Sequence, residues 1–139
     1  MELNERSKQM LKGVHPDLVR VILRAALNTP DGPEEDSWVI TEGPRTLERQ
    51  KQLFASGASL TMNSRHLKGD AVDLAIWEDR DHDKVVDVDE LSWKFPKYKA
   101  LSEIVLAAAK ELNIPVVWGG SWKSIVDGPH FELDRRFYP

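Results

Sequence analysis

Two short stretches of this chain gather residues able to hold and use a metal ion. One runs from Ser64 through His66 and Gly69 to Asp73; the other is the turn Asp127-Gly-Pro-His130. The only other histidines are His15 and His82, so few imidazoles compete for the role. The chain has no cysteine, which excludes disulfides and thiolate sites and leaves imidazole and carboxylate as the metal donors. A turn at Gly69 lets the backbone reverse and aim His66 and Asp73 at one point. In the run His130 to Leu133, strand alternation puts His130 and Glu132 on one face and sends Phe131 and Leu133 to the other. Two His and one Asp make the donor set of a catalytic zinc, which keeps a fourth position for water. Taken singly, each histidine reads as an ordinary hydrogen-bonded residue; jointly they point to a metal.

The elements that must position these residues follow from periodicity. Leu18, Val19, Val21, Ile22, Ala25 and Ala26 recur at helical spacing behind Pro16 and Asp17. After the Pro-, Gly- and acid-rich loop NTPDGPEEDS, Trp38 to Thr41 reads as a strand. Pro44 to Phe54 reads as a helix with Leu47, Gln50, Leu53 and Phe54 on one side and Arg45 projecting from its start. Ala71 to Trp77 is a short apolar run consistent with a buried strand, in which Asp73 is the unexpected residue. Tyr98 to Leu112 carries an apolar stripe of Leu101, Ile104, Val105, Ala108 and Leu112, ended by Asn113 and Pro115. Pro115 to Trp118 and His130 to Leu133 are two further strands, with GGSWKSIVDGP between them. No repeat is present, and helices interleaved with short strands give an α+β class: a small antiparallel sheet with about three helices, in one domain over 1–139 and without a separate wall-binding unit.

Composition narrows the function classes. Nineteen basic and twenty-three acidic residues leave a net charge of −4, which disfavours nucleic acid and anionic lipid as partners. No apolar run reaches the length of a membrane span, and the N-terminus lacks the basic-then-apolar pattern of a secretory signal. The acidic stretch from Asp79 to Glu90 sets Asp79, Asp81, Asp83, Asp87 and Glu90 at the spacing of an EF-hand calcium loop. Lys84 occupies the position such loops give to glycine, and a solvated acidic loop is the other reading. Trp118 and Trp122 flank Gly119-Gly120-Ser121, where aromatic walls could border an extended peptide; a core role for Trp118 is equally open. Ser64 could contact substrate or orient its turn.

These residues carry a resemblance. Ser64, His66, Gly69, Ala71 and Asp73 fill the pattern SxHxxGxAxD without departure, and Asp127 lies three residues before His130. The chain thus resembles the zinc D,D-carboxypeptidase and L-alanyl-D-glutamate endopeptidase family, which includes many bacteriophage endolysins. The stretches LKGVHPDLVRVILRA, ITEGPRTLERQKQLFASGAS and MNSRHLKGDAVDLA look like its phage branch. The resemblance implies the zinc D,D-peptidase (hedgehog-like) fold, zinc on His66, Asp73 and His130, Asp127 as acid/base, and Arg45 binding substrate and transition state. It implies cleavage of peptidoglycan stem peptides at the L-alanyl-D-glutamate bond by a monomer. The enzyme would be made in the host cytoplasm and reach the periplasm and cell wall through a membrane lesion, with a holin as functional partner. A D-alanyl-D-alanine carboxypeptidase, or a zinc-bearing wall-binding module without catalysis, would share the same motif.

Overall fold

The computed structural model describes residues 1–31, 36–59, 64–79, 85–123 and 126–139. Among the described residues four α-helices and five strands follow one another in the order α1 (Glu5–Met10), α2 (Pro16–Asn28), β1 (Ser37–Glu42), α3 (Leu47–Ala55), β2 (Ala71–Trp77), β3 (Leu91–Ser92), α4 (Phe95–Glu111), β4 (Val116–Trp118) and β5 (His130–Leu133). The α+β class holds. α1 and β3 are additions that periodicity did not reveal, since each is too short to show a period.

Among the described residues the strand pairs are all antiparallel, in the order β1-β2-β5-β4, with β3 also pairing to β2. Strand alternation divides the sheet into two faces. Val72, Leu74 and Ile76 of β2 and Phe131 and Leu133 of β5 enter the core, where they meet Leu18, Val21, Ile22 and Ala25 of α2 and Leu101, Val105 and Ala108 of α4. Asp73, His130 and Glu132 therefore belong to the opposite face.

The two long helices begin and end for local reasons. His15 caps α2 by accepting the Asp17 amide on Nδ1 at 3.0 Å, and Pro16 follows at the first turn. Asn113, at φ 56°, takes the left-handed conformation just past α4, as the sequence anticipated.

α3 departs from its expected form. It starts at Leu47, capped by Thr46, so Arg45 lies before the helix. Its fully buried residue is Gln50, whereas Leu47 and Phe54 are about half exposed, at 54% and 48%. The helix is anchored by polar contacts: Arg45 donates from Nη1 to Gln50 Oε1 at 2.7 Å, and Gln50 donates to Ser59 at 2.8 Å.

β1 carries an irregularity beside the site. Ile40 pairs with Leu74, but the residue opposite Asp73 is Glu42 rather than Thr41. The extra residue reverses the alternation, so Glu42 turns to the face of Asp73 instead of following Trp38 and Ile40 into the core.

Candidate active site

His66 sits in a short 3-10 turn, Arg65–Lys68, that Ser64 caps by accepting the His66 amide at 3.2 Å. Gly69 closes this turn at φ 74°, a conformation that favours glycine, and a Cβ there would run into the Gly13 carbonyl oxygen. Asp73 and His130 are direct partners across β2 and β5, which puts both side chains on one face. Among the described residues, His66, Asp73 and His130 form the one group of three His or acidic side chains suited to a metal ion, with ligand atoms all within 4.8 Å of one another.

The two rings are held by different means. The Nδ1 of His66 donates to the Gly43 carbonyl oxygen at 2.9 Å, so Nε2 is the ring nitrogen that faces Asp73, 3.3 Å away. In His130 the roles are exchanged. Its Nε2 lies 2.9 Å from Glu132 Oε1 and its Nδ1 3.1 Å from Asp73 Oδ1. One imidazole nitrogen from each ring and a carboxylate oxygen thus converge from a 3-10 turn and two strands. The donor chemistry and the outward anchoring of each ring fit a divalent cation of the zinc type.

Charge is concentrated here. Burial alone would lower the His130 pKa, but the Asp73 and Glu132 carboxylates outweigh it and push it up to about 9. Burial would likewise raise Asp73, yet hydrogen bonds from His130 and His66 hold it well below the usual carboxylate range. Asp127 moves the other way: burial first, and then the charge of Asp73, raise its pKa. Asp127 also feels the charges of His130, His66 and Arg45, which places it beside the cluster.

The turn carrying Asp127 is pinned by its backbone. The Asp127 amide donates to Gly119 O at 3.1 Å, the His130 amide to Asp127 O at 3.2 Å, and the Leu74 amide to Pro129 O at 2.9 Å. Trp118 is buried, and its Nε1 donates to Gly128 O at 2.7 Å, so it braces this turn from within the core. Trp122 is half-buried with its ring centroid 5.2 Å from that of His130, and borders the cluster. Arg45 donates from Nε to Glu42 at 2.9 Å, and its amide donates to His66 O at 2.8 Å.

Sequence reasoning passed over Glu42, Gln50 and Arg65. Gln50 reads only as one position in the helical period of α3, and Glu42 reaches this face only through the strand irregularity. For Arg65, its place between Ser64 and His66 was the available signal. Of the acidic stretch, Asp79, Asp87 and Glu90 are described; Asp81 and Asp83 lie outside the described residues. Glu90 is buried at the end of a 3-10 turn, and its carbonyl accepts the Glu78 amide at 2.9 Å.

The chain is similar to known proteins over most of its length. The family described as phage L-alanyl-D-glutamate peptidase matches residues 1–138. An L-alanyl-D-glutamate peptidase of Listeria phage A118 is 35% identical over 100 residues, 72% of this chain, and that match spans only 31% of the Listeria phage protein. The crystal structure of the Serratia marcescens L-Ala D-Glu endopeptidase ChiX superposes with a TM-score of 0.82 at 38% identity, covering 100% of this chain and 94% of ChiX. By the near full-length match and the shared fold, the chain belongs to the phage L-alanyl-D-glutamate peptidase family.

Proposed function

We propose that this chain is a zinc-dependent endopeptidase that hydrolyses the L-alanyl-D-glutamate bond of peptidoglycan stem peptides and so lyses the host cell wall. The observation that carries the reading is the convergence of His66 Nε2, His130 Nδ1 and an Asp73 oxygen beside Asp127, in a chain of this family. In the described residues no helix is long and apolar enough to cross a membrane, which suits an enzyme that meets its substrate in the wall after the membrane is breached.

His66, Asp73 and His130 would hold the zinc. The chemistry zinc supplies in such a donor set is a water that ionises near neutral pH and a Lewis acid for the scissile carbonyl. Asp127 takes up the proton of the attacking water on its carboxylate and then passes it to the departing glutamate amine. Its raised pKa makes the carboxylate a stronger base for the first half of that exchange. Arg45, held in place by Glu42 and Gln50, directs its positive charge toward Asp127 and toward anionic groups of the substrate. Trp122 lines the approach along His130, and Ser64 keeps the His66 turn in shape.

The test joins metal analysis of the purified protein to mass spectrometry of digested peptidoglycan. Expected are about one zinc per chain and new glutamate α-amino termini. Release of free D-alanine instead would make the enzyme a carboxypeptidase, and no release of any fragment by the zinc-loaded protein would refute the assignment.

A further inference from the structure

We infer that Glu132 is a positioning residue for His130, fixing which ring nitrogen faces the metal; this rests on the metal-site reading above. The His130 Nε2 donates to Glu132 Oε1 at 2.9 Å, and both side chains are buried, at 9% and 5% exposure. A carboxylate in that position commits the ring proton to Nε2 and leaves Nδ1 as the donor atom. It also makes the imidazole a stronger ligand.

The carboxylate itself is clamped. Its second oxygen, Oε2, accepts from Arg135 Nε at 3.3 Å and pairs with Arg65 Nε at 3.7 Å. Arg65 is buried and cannot swing away, since its Nη2 meets the Leu133 carbonyl at 3.2 Å and Asp70 at 3.3 Å. One oxygen of Glu132 therefore serves the histidine and the other serves the guanidinium groups. On the two flanking strands Glu132 is paired with Ala71 of β2 and Val117 of β4.

His66 offers an internal contrast. Its outer nitrogen is held by the neutral Gly43 carbonyl, so Glu132 is the anionic support and His130 the histidine whose donor strength depends on a side chain. Removing Glu132 should therefore weaken metal binding without removing any ligand.

The experiment compares the full chain with Glu132→Ala and Glu132→Gln. Zinc affinity is read by competition with a chromophoric chelator, coordination by the visible spectrum of the cobalt-substituted protein, and folding of the metal-free form by circular dichroism. Glu132→Ala should bind zinc about 10- to 100-fold more weakly, with an altered cobalt spectrum. Glu132→Gln, which keeps an acceptor oxygen for Nε2 but not the charge, should recover part of that loss. Should Glu132→Ala fail to fold, Glu132→Asp replaces it under the same criteria, because it keeps the charge for Arg65 and Arg135 but draws the carboxylate back from His130. Zinc affinity within twofold of the parent chain in the folded variant would overturn the inference. Equal losses in Ala and Gln variants would also overturn it, by assigning the effect to buried charge. A parent chain that binds no zinc, like His66→Ala, would instead sink the metal reading itself.

Discussion

His130 stands between two carboxylates in the metal-free protein, and this sets how its stability responds to pH. Its pKa rises from 6.5 to about 9 on folding, so the native state holds that proton more tightly than the unfolded chain. The resulting stabilisation is fully present below about 6.5 and is lost as pH climbs through about 9. Asp73 acts in the opposite sense: its depressed pKa contributes stability above 3.8 that disappears as pH falls through the lowered value. Thermal melts of the chelated protein should therefore give the highest Tm in weakly acidic buffer and a steady fall toward pH 9. An unchanging Tm over that alkaline range would contradict the pairing of His130 with Asp73 and Glu132. Asp127 makes a separate prediction, because it feels the cluster's charges without being one of the three converging donors. Asp127→Ala should keep its zinc and its fold while kcat drops by about 10²- to 10⁴-fold, checked by paired metal content and turnover on peptidoglycan.

At the level of elements, the histidine and aspartate positions were legible because strand alternation is a local code. β2 and β5 have the bounds the sequence suggested, and Phe131 and Leu133, read as core-facing on β5, lie in the core. The turn at Gly69 was legible for a similar reason, since only its backbone conformation is at stake. Gly69→Ala adds left-handed strain of about 1–3 kcal/mol to a collision with the Gly13 carbonyl. Urea unfolding should show a loss of at least about 2 kcal/mol, accompanied by weaker zinc binding as the Arg65–Lys68 turn shifts. α3 was legible as a helix but not in its orientation. Its hydrogen bonds run through Gln50 to Arg45 and Ser59, contacts that join distant points of the fold and leave no periodic trace. Arg65 escaped notice likewise, because a buried arginine declares itself only once Asp70 and Glu132 are seen around it.

Across the whole molecule the labour is divided between the two faces of the sheet. α2 and α4 cover one face with apolar side chains, and the other gathers His66, Asp73, His130 and Glu132 with Arg45 and Asp127 beside them. A metal there would tie β2 and β5 to the 3-10 turn ahead of them, so occupancy should be felt globally. With free zinc at about 1,000 times Kd, the native state gains about 4 kcal/mol. Chelation should then lower the Tm by roughly 10 °C, and added zinc should restore both Tm and hydrolysis; calorimetry with and without chelator measures this. The α+β class was legible from the order of elements, whereas the position of Glu42 was not. The period-two code that served β2 and β5 fails at Thr41, where one surplus residue changes the phase of β1. An alignment scored on hydrophobic alternation alone would open a one-residue gap at this point. That gap marks where the strand stops feeding the interior and begins to shape the face that carries Asp73 and His130.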